Sequence, residues 1–272
     1  MHVMNSFFLH IGVLFLSSVF GQVENTAGER YSSFKPGESL TYKATYGIFT
    51  VGKGSYTISE RNYQIKGKGC YRVDVYGETK GIVKWVADVD DHWQSYIDTT
   101  NLSPVLSTRN LKEGRYRKKE YTEFIPEDSI IKVTTLDFDS GKYKDPVLFK
   151  TKHLTHGMIS GFLWMRTLDF NQLAVGDTLT IPAFLQDEFY DFQVVVYKRE
   201  ELKVKAGKFK SIAFRPVMPD NDVFEGEDSI LAWFSDDENK VPLKVSAKMF
   251  IGHAGIELTK YTGLKNEPAL IY

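Results

Sequence analysis

Apolar and polar residues alternate along most of this chain with a period of two, the spacing of a strand that buries one face. In Ser39-Leu40-Thr41-Tyr42 the pattern turns Leu40 and Tyr42 inward and Ser39 and Thr41 outward. Thr178-Leu179-Thr180-Ile181 repeats it, with Leu179 and Ile181 inward and Thr178 and Thr180 outward. The same texture predicts strands in SLTYKATYGIF, KGSYTISE, YQIKGKG, YRVDVYG, IVKWVADVDD, WQSYID, PVLSTRNL, RKKEYTEF and SIIKVTTLDF. Gly and Asx turns separate these runs at intervals of roughly ten residues, as antiparallel β architecture requires. The texture then changes once. In HGMISGFLWMRTLDF, Ile159, Phe162, Leu163 and Arg166 fall at helical spacing, which predicts a helix over residues 158–168. Its broad apolar face suits a position on or inside a sheet. Strands resume in TLTIPAFL, EFYDFQVVVYKREEL, KFKSIAFRPV, SILAWFSD, PLKVSAKMFI and GIELTKYTGL, and from Lys265 onward the periodicity stops.

Two of these stretches say nearly the same thing: KPGESLTYKATYG, residues 35–47, and AVGDTLTIPAFLQ, residues 174–186. Other landmarks recur at almost the same distance. Gly37 and Gly176 are 139 positions apart, while Gly69-Cys70-Tyr71-Arg72 and Gly207-Lys208-Phe209-Lys210, Pro104 and Pro242, and Gly114 and Gly252 are each 138 apart. The expected fold is therefore mainly β: an antiparallel curved sheet or half-barrel built from two sequence-related halves, with one linking helix. The expected units are a first β repeat at 34–136, a linker with the helix at 137–172, a second β repeat at 173–264 and a tail at 265–272. Whether the halves form one continuous sheet or two facing sheets stays open at this stage.

Residues 1–21 read as a secretory leader, with an apolar run from Phe7 to Leu16 and small residues up to Gly21, after which cleavage is expected. The leader lacks Lys and Arg ahead of its apolar run and carries only His2 there. Residues 22–33 are polar and read as a flexible segment, and the whole arrangement predicts an exported, periplasmic protein. No later run is long and apolar enough to span a bilayer, so no transmembrane span is expected in the mature chain. With 34 basic and 35 acidic residues the formal charge is −1, which gives no general attraction for nucleic acid. The basic run Arg115-Tyr116-Arg117-Lys118-Lys119 would show its charges on both faces of a strand, so it reads as a solvated edge or turn. The single Cys70 excludes a disulfide within the chain, and its β-forming neighbours predict a buried thiol.

Candidate chemistry is sparse. His153 and His156 would share a face only if helical, and no acidic third ligand stands at a suitable spacing, so no metal site is assigned. Asp90, Asp91 and His92 form a polar group that reads as a turn between strands and is the first place to inspect for acid–base chemistry. DFDSGKYKD, residues 137–145, fails as a calcium loop because its glycine comes one position early and no Glu closes it. SDDEN, residues 235–239, reads as a turn. No Gly-x-Ser-x-Gly elbow or phosphate-binding glycine loop is present, so no catalytic residue and no cofactor is assigned, and an enzyme is the less favoured reading. What remains is the aromatic content. Trp85, Trp93, Trp164, Trp233, Phe162, Phe184, Phe189 and Phe192 suit a core first and a cavity wall second. A ligand cavity, where the helix meets the first strand of the second half, would be lined by Phe162, Trp164, Met165 and Phe184.

The stretches FKPGESLTYKATYG, DTTNLSPVLSTRNLKEGRY, GFLWMRTL before VGDTLTIP, and LAWFSDDENKVPLKVSAKMFIG resemble the bacterial envelope family called domain of unknown function 3108. The aromatic followed by Ser-Asp-Asp and Pro-Leu is its most specific part. That resemblance implies an exported β protein and assigns no catalytic residues. In architecture alone the chain is also similar to the half-barrel carriers that ferry lipoproteins across the periplasm. The leading expectation is thus a non-enzymatic protein that binds or carries an apolar ligand, a lipid or a lipidated protein, in the periplasm. The alternative is an envelope adaptor or structural protein that acts through its outer surface. Oligomeric state is not legible.

Overall fold

The computed structural model describes residues 31–85, 88–151, 153–217, 229–250 and 252–272. The predicted leader at 1–21 and residues 22–30 of the expected flexible segment lie outside the described residues. Among the described residues, fifteen strands form one antiparallel curved sheet. The first six are β1 (Ser39–Tyr46), β2 (Phe49–Ile65), β3 (Lys68–Thr79), β4 (Asp90–Asp98), β5 (Pro104–Glu113) and β6 (Tyr116–Ile125). β7 (Ile130–Asp137), β8 (Lys142–Tyr143) and β9 (Val147–Lys150) follow, then the single α-helix among the described residues, α1 (Met158–Met165). The last six are β10 (Thr178–Leu185), β11 (Glu188–Val204), β12 (Gly207–Pro216), β13 (Ile230–Ser235), β14 (Pro242–Lys248) and β15 (His253–Thr262).

The spatial order runs β10 to β15, then β1 to β8, with β9 paired to β7. The last strand therefore meets the first in the middle of the sheet, Ser39 opposite Thr262 and Tyr46 opposite Ala254. Gly263 ends that seam in a left-handed conformation, φ +68°, where an added Cβ would stand 2.3 Å from the Gly37 carbonyl oxygen, so only glycine fits. The choice left open by the sequence is resolved in favour of one continuous sheet.

The sheet curls until its two ends meet. His156, between β9 and α1, pairs in parallel with Ala183 of β10: its N–H donates to the Pro182 carbonyl at 2.8 Å and its carbonyl accepts from the Phe184 N–H at 2.9 Å. Pro182 sits on this outer edge, where its missing N–H removes no bond of the β10–β11 ladder. Period two then sorts the side chains of β10. Ile181, Ala183 and Leu185 join the core that packs on α1, while Phe184 joins Phe124, Ile131 and Val133 from the other end of the sheet. Thr180, expected outward, is buried because β10 is covered on both faces.

Other departures have local causes. IVKWVADVDD does not start as a strand: Gly81 adopts φ 62°, residues Gly81–Trp85 form a 3-10 turn, and β4 begins only at Asp90. KGSYTISE and the first three residues of YQIKGKG merge into the 17-residue β2, while Lys66-Gly67 turns and Lys68 opens β3; the register between β2 and β3 shifts between Ile58 and Asn62. The helix ends at Met165, short of the expected 168, with the Thr167 N–H and hydroxyl both donating to the Trp164 carbonyl. The aperiodic tail is docked: Leu270 bridges to Phe209, and the Ile271 N–H donates to the Lys208 carbonyl at 2.8 Å.

Candidate functional site

Helix α1 lies inside the curl and divides the core. Ile159 and Leu163 pack with Phe34, ahead of β1, and with Ile58, Val73 and Ile97 of β2–β4, while Met165, with Phe162 and Trp164 against it, packs among β10–β14 side chains. Three of the four expected cavity residues, Phe162, Trp164 and Met165, are thus gathered in one cluster, and they meet packed neighbours. Phe162 faces the Phe234 ring at 6.3 Å between centroids, and Trp164 faces the ring of His156 at 5.9 Å. The fourth, Phe184, stands on the opposite face of β10 between Phe149 and Phe189, at 5.0 and 5.1 Å. The space beside the helix is a cavity of about 50 Å³ lined by Phe184 with Met158 and Ile159 of the helix on one side and by Arg109, Glu120 and Thr122 on another. That is room for a few water molecules. A larger cleft of about 210 Å³ opens where the segment after β9 crosses the ends of β5–β7, a second seam in the curl, lined by Pro104, Phe124, Ile125, Ile131, His153 and Leu154 among others.

Arg166, at the helix C-terminus, is buried and unites one end of the molecule. Its guanidinium donates to Glu38 Oε1 at 2.5 Å and Oε2 at 2.8 Å, to the Ser33 carbonyl at 2.8 Å and to the Asn239 carbonyl at 2.9 Å. Burial works against the charge, and Glu38 beside it more than compensates, holding the Arg166 pKa above its usual value. Burial likewise raises the hydroxyl pKa of Tyr42 and Tyr56, with Arg166 pulling down and Glu38 pushing up. Around this pair, Asn239 exchanges two hydrogen bonds with the Asn266 backbone, and the Lys240 ammonium donates to Ser33 Oγ at 3.1 Å. The SDDEN stretch is a turn, with Asp237 Oδ1 accepting from Ser235 Oγ and from the N–H groups of Asn239 and Lys240. Part of the segment expected to be flexible, Tyr31 to Ser33, is held here too. The sequence carried one signal for Arg166, a charge on an otherwise apolar helical face, which demands a buried partner.

The opposite end is built differently. Asp91 on β4 and Glu113 on β5 are buried side by side and hydrogen-bonded to each other, and Asp91 Oδ1 also accepts from the Lys112 N–H at 2.9 Å. Burial pushes Asp91 up to about 6, and burial with the neighbouring Asp91 pushes Glu113 up to about 7. Asp90 is exposed, and His92 turns to the other face, where Nε2 lies 2.9 Å from Asp74 Oδ1 and the ring stacks on Tyr76 at 4.0 Å. The three neighbours in sequence thus do not converge on one centre. The histidines do not converge either: His153 is exposed, while His156 is buried and its pKa is lowered to about 4 by desolvation. Among the described residues no group of three or more His, Cys, Asp or Glu is placed to hold a metal ion. The Cys70 thiol is buried, and burial raises its pKa.

This second end also carries a group of exposed large apolar side chains, though others, such as Leu148, Val175 and Tyr272, are exposed elsewhere. Ile48 (92% exposed) and Phe49 (67%) stand at the β1–β2 turn, Trp85 (92%) after β3, Tyr116 (46%) at the β5–β6 turn and Phe250 (61%) at the β14–β15 turn. These turns are neighbours. The Gly47 N–H donates to the His253 carbonyl at 2.7 Å, the Lys80 N–H to the Val51 carbonyl at 2.9 Å and the Gly114 N–H to the Asp88 carbonyl at 2.7 Å. No helix of the described residues is long and apolar enough to cross a membrane.

The profile of a family described as "Protein of unknown function (DUF3108)" matches residues 41–259. No curated protein matches the chain. Among solved structures, the chain is similar to a beta-barrel-like protein of domain of unknown function DUF1849 from Brucella abortus, at 12% identity and TM-score 0.53, over 84% of this chain and 98% of that one. It also aligns with the hypothetical protein CT021 from Chlamydia trachomatis, at 12% identity and TM-score 0.35, over 91% of this chain and 96% of that one. A third is a protein provisionally described as exported, with a YmcC-like fold, from Bacteroides fragilis, at 9% identity and TM-score 0.30, over 84% and 97% of the two chains. The first of these supports the fold, and the fold alone.

Proposed function

We propose, for a chain that belongs to the DUF3108 family of proteins of unknown function, that it is an exported, non-enzymatic envelope protein working from its outer surface as an adaptor. The observation that carries this reading is the filled interior. Helix α1 occupies the concave space where a carrier would hold its ligand, with Met165 buried and Phe162 and Trp164 half-buried against packed neighbours. Closing the curl with a side-chain core stabilises the fold and leaves the working surface outside.

The carrier reading, with a lipid or lipidated protein as cargo in the periplasm, is favoured by one feature, the apolar seam cleft. At about 210 Å³ it falls below most small-molecule sites, which span roughly 300–1,000 Å³. Native mass spectrometry on protein isolated from a bacterial envelope, followed by lipid extraction, separates the two. An apo mass is expected; a stoichiometric lipid would transfer the assignment to the carrier. The same proposal takes the runs β1–β6 and β10–β15 as related halves, supported by β2 and β11, each of 17 residues and starting 139 positions apart.

A further inference from the structure

We infer that the apolar rim formed by Ile48, Phe49, Trp85, Tyr116 and Phe250 is a membrane-docking surface, fitted to the interfacial layer of a bilayer that contains anionic phospholipid. This inference rests on the outer-surface reading and names its partner. A monomeric protein seldom leaves this many large apolar side chains in water without a use for them. Here they sit on four adjacent turns whose backbones are hydrogen-bonded through their flanking strands, so they are held in a common arc. Single side chains on separate tips offer no groove for a peptide or helix. They suit a broad, soft surface that each tip can enter independently.

The chemistry of the tips points the same way. Trp and Tyr are amphipathic rings enriched where membrane meets water. Basic groups flank them: Lys80 and Lys84 near Trp85, and Arg115, Arg117 and Lys119 around Tyr116. The Arg117 guanidinium donates to the carbonyls of Gly114 and Tyr116, neutral acceptors that leave its charge intact. The acids at this end are Glu78, Asp88, Asp90, Asp91 and Glu113; Lys53 pairs with Glu78 at 2.8 Å and Lys112 with Asp88 at 2.6 Å, while Lys80 and Lys84 stand 4.0 and 3.7 Å from the same two carboxylates. At the far end the turns carry acids and bases together: Glu127, Asp128, Asp236, Asp237 and Glu238 beside Lys66, Lys68, Lys205, Lys208 and Lys240, with Lys68 paired to Glu127 at 2.7 Å. The basic groups concentrated around the tips of Trp85 and Tyr116 give an anionic surface a local attraction for the rim.

Co-sedimentation of the full chain with vesicles tests this, using phosphatidylglycerol with phosphatidylethanolamine in one set and phosphatidylcholine in the other. The first residues are kept unchanged in every variant, so any contribution of the leader cancels in the comparison. The wild type is expected to bind the anionic vesicles. The variant Phe49→Ser/Trp85→Ser/Phe250→Ser should partition at least about tenfold more weakly, the change expected when large apolar side chains leave a lipid interface. Arg115→Glu/Arg117→Glu, which alters no core residue, should lose the preference for phosphatidylglycerol. A wild type that stays in the supernatant, or a triple variant that binds like the wild type, overturns the inference. With an apo mass, either result leaves the outer-surface reading standing with a protein as partner. A stoichiometric extracted lipid would instead overturn that reading itself.

Discussion

The two ends of the curled sheet solve the burial of charge in opposite ways. At the end of Arg166, a buried guanidinium meets a buried carboxylate and two carbonyls, and the chain before β1, the β13–β14 turn and the tail all tie into the same network. At the apolar rim, two carboxyls are buried against each other and five large apolar side chains stand in water. Consistent local choices mark structure, and conflicts among them mark function. The first end therefore reads as the device that closes the fold, and the second as the surface that meets a partner.

That contrast can be broken most severely at Arg166. Arg166→Met should cost about 3–5 kcal/mol, because it strands the Glu38 carboxylate in the interior; adding Glu38→Gln should recover part of the loss. Chemical denaturation of the single and double variants checks both statements. Leu163→Ala, in the helix face that packs on β2–β4, should cost about 2–5 kcal/mol through a cavity the sheet cannot fill. A smaller effect of opposite sign is expected at the rim. Asp91 and Glu113 keep protons in the folded chain over a range where the unfolded chain has lost them. Folding therefore takes up protons, and the contribution of the pair is full below about pH 4 and lost as pH rises through about 6 and 7. Asp91→Asn should accordingly stabilise by on the order of 1 kcal/mol near pH 8 and by nothing near pH 4, as denaturation at the two pH values will show. Smallest of all, Trp85→Ser should change stability by less than about 0.5 kcal/mol, since a side chain 92% exposed has little packing to lose. A large loss there would mean that the rim is structural after all.

The strands were legible because alternation is a local signal, and the helix because its period interrupts that alternation. The curl was not. It depends on β10 being covered on both faces, and the separation of Phe184 from Phe162, Trp164 and Met165 follows from that cover. Phe184 is one position out of phase with Ile181, Ala183 and Leu185, so period two could have set it apart from the helix. Arg166 was visible as an anomaly, but its partner Glu38 lies 128 positions away, a contact that no window along the chain can reveal. The rim is distributed in the same way. Ile48, Phe49, Trp85, Tyr116 and Phe250 each look like an isolated surface residue until sheet order brings their turns together.

Hydrogen exchange of the full chain, with and without phosphatidylglycerol-containing vesicles, tests the division of labour between the two ends most directly. The account predicts that vesicles slow exchange at residues 47–49, 81–85, 114–116 and 249–250, while α1 and the network around Arg166 exchange as before. Protection that appears in α1 or along the seam at Thr151 to His156, with the rim unchanged, would contradict it and place the lipid inside the fold.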